Sequence, residues 1–177
     1  MLHSILRCTA VVAAALAVIA SSAEAGPASA PPDAPFARVY LALRGCTSCS
    51  HCRTNIRQMV RSKSEGGEAW LASDQVEVRY PAPRTVPLRD VVRSLAENRL
   101  HDLSVVDVLF EAKGSIAATK GGTTFRLAET GQAFPIMIDR AVKRPADGTP
   151  VRVTALVEGW RKKGEVSLVA RTIEAVN

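Results

Sequence analysis

Apolar and polar residues alternate along Phe36-Ala-Arg-Val-Tyr-Leu-Ala-Leu43, the period-2 signature of a half-buried strand, and the pattern stops at Gly45. The period then changes. Cys52, Ile56, Met59 and Val60 recur at i, i+4, i+7 and i+8, which predicts one apolar helix face, while Arg53, Arg57 and Arg61 line another. Gly66-Gly67 breaks that helix. Ala69–Ala72 and Gln75–Tyr80 read as short strands joined by a turn at Ser73-Asp74, and Pro81 and Pro83 end the second. Pro87 opens a second helix, where its missing N–H is harmless. Leu88, Val91, Val92 and Leu95 form its buried stripe, Asn98 is its stop, and Leu103–Phe110 is a fourth strand.

This order, β-α-β-β-α-β over about 75 residues, predicts an α+β fold: a ferredoxin-like sandwich with two helices on one face of a four-stranded antiparallel sheet. The rest of the chain has another texture. Gly114, Gly121-Gly122, Gly131, Gly148 and Gly164 punctuate short apolar runs. Ser115–Thr119, Thr123–Ala128, Phe134–Ile138, Val151–Glu158 and Glu165–Ile173 read as five strands, which predicts a small all-β barrel, OB-like by strand number. The expected division is one domain over 36–112 and a second over 113–177, touching across a short junction at Glu111–Gly114.

The first 25 residues change the picture of where the chain works. Arg7 precedes an apolar run from Cys8 to Ala20, and Ala23-Glu24-Ala25 gives a small-x-small cleavage pattern. The run is short for a membrane span, so residues 1–25 are expected to be a signal peptide cleaved after Ala25, with an uncleaved anchor as the alternative. Cys8 stands too early for lipidation. Residues 26–35, GPASAPPDAP, read as a Pro/Ala-rich linker. The expected location is therefore periplasmic or secreted, with no stable membrane span after processing. About 140 residues remain, enough for one ordinary domain or two small ones.

The whole chain carries a net charge of +6; removing residues 1–25 takes away one Arg (Arg7) and one Glu (Glu24), so +6 remains. The charge is spread rather than gathered in a tail, and aromatic residues make up only 5%, too few for base stacking, so a nucleic-acid partner is not expected. An acidic protein or an anionic membrane surface would suit this balance. The row Arg53, Arg57, Arg61, with Arg44 nearby, is either a docking face for an acidic partner or a solvated helix face.

The chemistry gathers in Gly45-Cys-Thr-Ser-Cys-Ser-His-Cys52, where Cys46, Cys49 and Cys52 are spaced by three at a strand-to-helix turn. Free backbone N–H groups at a helix start favour thiolates, which bind soft metals or exchange disulfides. Two thiolates about one helical turn apart can converge on a soft ion, and Cu(I) or Hg(II) needs only two or three sulfurs. Zn(II) prefers four ligands; His51, the one nearby candidate, reads as a surface residue. A c-type haem is excluded because Ser50 and Arg53 stand where its histidine would be. An iron–sulfur cluster normally wants four cysteines, and three remain once Cys8 is removed. A redox pair or a structural disulfide at Cys49–Cys52, or one involving Cys46, stays open.

Residues 37–110 resemble the heavy-metal-associated domain family of periplasmic mercury-binding proteins, copper chaperones and metal-pumping ATPase modules. The likeness rests on the strand into Gly45, Cys49-Ser50-His51-Cys52, apolar Ile56 on the helix, Val76-Glu77-Val78-Arg79-Tyr80 and the Leu88–Leu95 helix. It implies that Cys49 and Cys52 are metal ligands, that Cu(I) is the first candidate ion with Hg(II) or Zn(II) behind it, and that a metal-donor or metal-acceptor protein is the partner. The family usually has Gly-Met-Thr-Cys; here Cys46, Thr47 and Ser48 follow Gly45, one residue longer and without the Met, which makes Cys46 a candidate third ligand.

The resulting expectation is an exported soft-metal chaperone or scavenger rather than an enzyme. Its alternatives are a thiol–disulfide protein and an interaction protein that works through the barrel. Trp70 and Trp160 are expected as core or edge aromatics, and His101 has no evident partner. A Ser/His/Asp set, a carboxylate pair and a phosphate loop are not legible, since Gly121-Gly122 lacks a following Lys-Ser/Thr.

Overall fold

The computed structural model describes residues 36–97, 103–162 and 164–176, which belong to one compact unit. The expected signal peptide (1–25), the linker (26–35), the helix stop at Asn98 and His101 lie outside the described residues.

Strand β1 (Ala37–Arg44) leads through the cysteine turn into helix α1 (Ser50–Lys63). The hairpin β2 (Glu68–Ala72) and β3 (Gln75–Tyr80) follows, then helix α2 (Leu88–Ala96). The long strand β4 (Ser104–Thr119) comes next, followed by β5 (Gly122–Leu127), β6 (Ala133–Ile138), β7 (Pro150–Glu158) and β8 (Ser167–Ala175). The apolar periodicities do what they predict: Leu88, Val91, Val92 and Leu95 are buried on α2, and Cys52, Ile56 and Val60 on α1. Pro87 stands at the N-cap of α2.

The expected α+β arrangement, a ferredoxin-like βαββαβ sandwich followed by an OB-like barrel, is overturned. All eight strands form one mixed sheet, in the order β2-β3-β1-β4-β5-β6-β8-β7, with a further pairing of β4 to β7 and only two helices among the described residues. Leu103–Phe110 and Ser115–Thr119, read as separate strands, are the two halves of β4. The polar residues between them are no break. Glu111 and Lys113 are outward positions of a period-2 pattern in which Phe110, Ala112, Gly114 and Ile116 are buried.

β4 changes partner along one edge. Ser104 to Ala112 face β1, and Gly114 to Thr119 face β5; Leu109 to Ser115 pair with β7 on the opposite edge. Lys113 stands at the changeover, its N–H donating to the Phe36 carbonyl at 3.4 Å and its carbonyl accepting from Ala128 N–H at 3.1 Å. Pairings β4–β5, β5–β6, β6–β8, β8–β7 and β7–β4 close a ring, with only β6–β8 parallel. Phe110 on β4 meets Phe125 edge-on at 6.4 Å and Phe134 at 5.5 Å, so the apolar cluster runs without interruption from the helix-covered strands into the ring.

Two local devices lock this arrangement. Gly114 is obligatory because a Cβ there would lie 2.2 Å from the Arg126 carbonyl oxygen and 2.7 Å from the Phe125 ring. Gln132, in the β5–β6 turn, mimics a backbone partner: its Oε1 accepts from Val86 N–H at 2.8 Å and its Nε2 donates to the Val86 carbonyl at 2.9 Å. It ties the segment before α2 to the ring. On the outer face Arg38 joins Glu77 (3.6 Å) and Glu111 (3.7 Å), and Arg152 bonds Glu111 at 2.5 Å, linking β3, β1, β4 and β7.

Gln132→Ala leaves the Val86 N–H without its partner, while the Val86 carbonyl keeps the Leu88 N–H at 2.8 Å, and is expected to cost about 1–3 kcal/mol of stability. Gly114→Ala forces backbone apart at the changeover and is expected to cost more, above the roughly 1–3 kcal/mol of ordinary overpacking. Urea unfolding of both variants checks the order; a Gly114→Ala protein as stable as the parent would show that β4 is not held this tightly.

Candidate metal centre

Three features aim the cysteine turn. The pairing of β1 with β4 shifts register between Ala42 and Leu43, where Asp107 and Val105 are the successive partners and Val106 is the extra residue, a bulge that bends the strand end. Leu43 N–H donates to the Asp74 carbonyl of the β2–β3 turn at 2.7 Å, carrying the β1–β3 register one residue further. Gly45 then takes φ 120°, a conformation that favours glycine, and the chain turns into α1.

Cys49 is the N-cap of α1. Its backbone is extended, at φ −71° and ψ 145°, and its Sγ accepts from Cys52 N–H at 3.1 Å, the role usually filled by a serine or aspartate oxygen. Cys52 lies in the first turn on the buried face. Cys46 comes back over the helix start from the preceding loop, with its Sγ 2.9 Å from Cys52 Sγ and 3.5 Å from Cys49 Sγ. All three thiols are free, and their sulfurs lie within 4.8 Å of one another. In a trigonal site with metal–sulfur bonds of about 2.3 Å the sulfurs would stand about 4.0 Å apart, so a small spreading would admit one ion. The three close cysteines are a cluster able to hold a soft metal ion.

The thiols are not equivalent. Cys49 is exposed, Cys46 half-buried and Cys52 buried. The Cys52 side chain and then the Cys52 backbone N–H pull the Cys49 thiol below its ordinary value. Cys52 moves the other way, pushed up to about 12 by the Cys46 and Cys49 side chains and by burial. Helix start and strand-end loop together thus set an accessible thiolate-prone sulfur beside a protonated one held inside.

All three candidate ligands, Cys46, Cys49 and Cys52, are brought together, and Cys46 stands closest to Cys52 despite its place outside the Cys-x-x-Cys pair. His51 is exposed and shares a hydrogen bond with Asn55 at 3.0 Å, outside the sulfur group. The arginine row divides: Arg53 donates to the Leu71 carbonyl on β2 at 3.0 Å, while Arg57 and Arg61 are exposed. Trp70 is an exposed aromatic on β2, at the end of the sheet, with the Arg79 guanidinium 5.2 Å above its ring; Trp160 is buried, under Arg161 at 4.1 Å. Sequence reasoning missed Arg161. It donates to the Val106 carbonyl at 2.9 Å, at the bulge that aims the cysteine turn, and the Trp160-Arg161 pair after Gly159 is its only local trace.

No family model, no curated protein and no solved structure matches this chain. Among the described residues, no helix is long and apolar enough to cross a membrane.

Exposure and ionisation agree on an order of reactivity. Brief alkylation of the reduced protein with iodoacetamide is expected to mark Cys49 first and Cys52 last, read by peptide mass spectrometry. Early labelling of Cys52 would contradict the burial described here.

Proposed function

We propose that this is an exported soft-metal-binding protein that carries Cu(I), or a similarly thiophilic ion, between partner proteins, without catalysis of its own. The observation that supports this reading most is the convergence of three free sulfurs, from Cys46, Cys49 and Cys52, at an exposed helix start. Three soft donors suit an ion of low coordination number, whereas Zn(II) ordinarily takes four ligands. The resemblance of the cysteine turn to the heavy-metal-associated family agrees, as does the N-terminal apolar run with its cleavage pattern. Exposed Cys49 is the natural point at which an incoming thiolate would begin ligand exchange, and the positive charge of Arg57 and Arg61 on the same helix would favour an acidic donor or acceptor.

Anaerobic competition of the reduced protein against a Cu(I) chelator tests the assignment. One ion per chain is expected. Each of Cys46→Ser, Cys49→Ser and Cys52→Ser is expected to weaken binding by more than the roughly 10–100-fold typical of losing a mere outer-shell partner. X-ray absorption should fit three sulfur contacts in the parent and two in Cys46→Ser. Equal affinity in the parent and a Cys49→Ser/Cys52→Ser double variant would dismiss the site.

A further inference from the structure

The sulfurs of Cys46 and Cys52, separated by five residues and outside the Cys-x-x-Cys spacing, stand closer to each other than those of Cys46 and Cys49. The Cys46 and Cys52 sulfurs lie 2.9 Å apart, inside van der Waals contact, and Cys52 is buried. Cys49 is occupied otherwise: its sulfur accepts the Cys52 N–H and closes the first turn of α1, and it is exposed. A disulfide at Cys49–Cys52 would draw that sulfur away from its capping role, whereas one at Cys46–Cys52 would leave the cap in place.

We infer that the site carries a redox gate in which Cys46 and Cys52 close as a disulfide while Cys49 stays a free thiol. The oxidant is a small-molecule or protein disulfide. Overall, Cys46 and Cys52 each give up one hydrogen, one S–S bond forms between them, and the S–S bond of the oxidant breaks to yield two thiols. The reaction proceeds through a mixed disulfide on one of the pair; the other sulfur then displaces the outgoing thiol. A thiol reductant reverses it by the same exchange.

This inference rests on the metal-binding reading for its consequence. Closure consumes two of the three donors and leaves Cys49 alone, too few sulfurs for the ion. Only the reduced protein would load, and a bound ion would in turn hold Cys46 and Cys52 away from the oxidant. Closure starts from sulfurs already 2.9 Å apart. Cys49 would remain as a capping thiol from which reloading can start once the pair is reduced.

The test treats reduced, metal-free protein with oxidised glutathione, removes the reagent, and alkylates the remaining thiols. Peptide mapping is expected to find Cys46 joined to Cys52 and Cys49 alkylated. Cys49→Ser should close the same pair. The oxidised parent should lose Cu(I) binding in the chelator competition and regain it on reduction. A Cys49–Cys52 or Cys46–Cys49 bond as the main product, a disulfide-linked dimer, or closure abolished by Cys49→Ser would overturn the pairing. Undiminished Cu(I) binding by the closed form would overturn the gate. If the reduced protein binds no Cu(I), the metal reading fails and the gate falls with it, while the peptide map still decides the pairing by itself.

Discussion

β4 is the constraint on which the structure hangs. It must serve three neighbours with two edges, and it does so by giving one edge first to β1 and then to β5 while β7 holds the other. A changeover of this kind leaves backbone groups stranded unless something takes them. Lys113 solves the problem with its own main chain, bonded on one side to Phe36 and on the other to Ala128. Gly114 solves the steric half by bringing no Cβ to a place where β5 comes within van der Waals distance. The same strand supports the start of the cysteine turn and the wall of the ring.

That sharing is why the fold was only partly legible in the sequence. Period-2 and helical patterns depend on which face a residue presents, and the local rules located the elements well. Gln75–Tyr80 and the four-residue stripe of α2 are where the pattern puts them. What no local pattern carries is the identity of a strand's neighbour. Glu111 and Lys113 look like a polar junction because they are charged and adjacent to a glycine. The charge of Glu111 is answered instead by long-range partners, Arg152 on β7 and Arg38 on β1. Such pairs are half-buried cross-strand contacts, each worth about 0.2–1 kcal/mol, too weak to announce themselves but enough to make a charged residue comfortable inside a strand. Gln132 was equally silent: its role is defined by Val86, 46 residues away.

The site was more legible than the fold, and for a physical reason. Thiol chemistry at a helix start depends on a few consecutive residues, so spacing and element order carry most of it. The capping of α1 by Cys49 and the burial of Cys52 follow from the helical register alone. The position of Cys46 does not. It is set by a strand bulge opposite Leu43, by the Leu43–Asp74 hydrogen bond and by the left-handed turn at Gly45, of which only the glycine leaves a trace in the sequence. The extra loop residue that separates this turn from the heavy-metal-associated pattern is therefore not slack. It is the length that lets a third sulfur come back against the first helical turn.

The ring also reaches the site, through one side chain. Arg161 lies in the connection between β7 and β8, over the buried Trp160, and donates to the Val106 carbonyl, with a longer approach to Val105 at 3.4 Å. Those carbonyls belong to the bulge of β4 that redirects the end of β1. A bulge frees main-chain acceptors from the regular ladder, and a planar guanidinium with several donors is suited to collecting two at once. Stacking on the indole limits the freedom that the long arginine side chain must give up to do so. The bend that aims the cysteine turn is thus stabilised from outside the strands that form it. The ring and the start of the cysteine turn are joined at the bulge, through Arg161 and the Val105 and Val106 carbonyls.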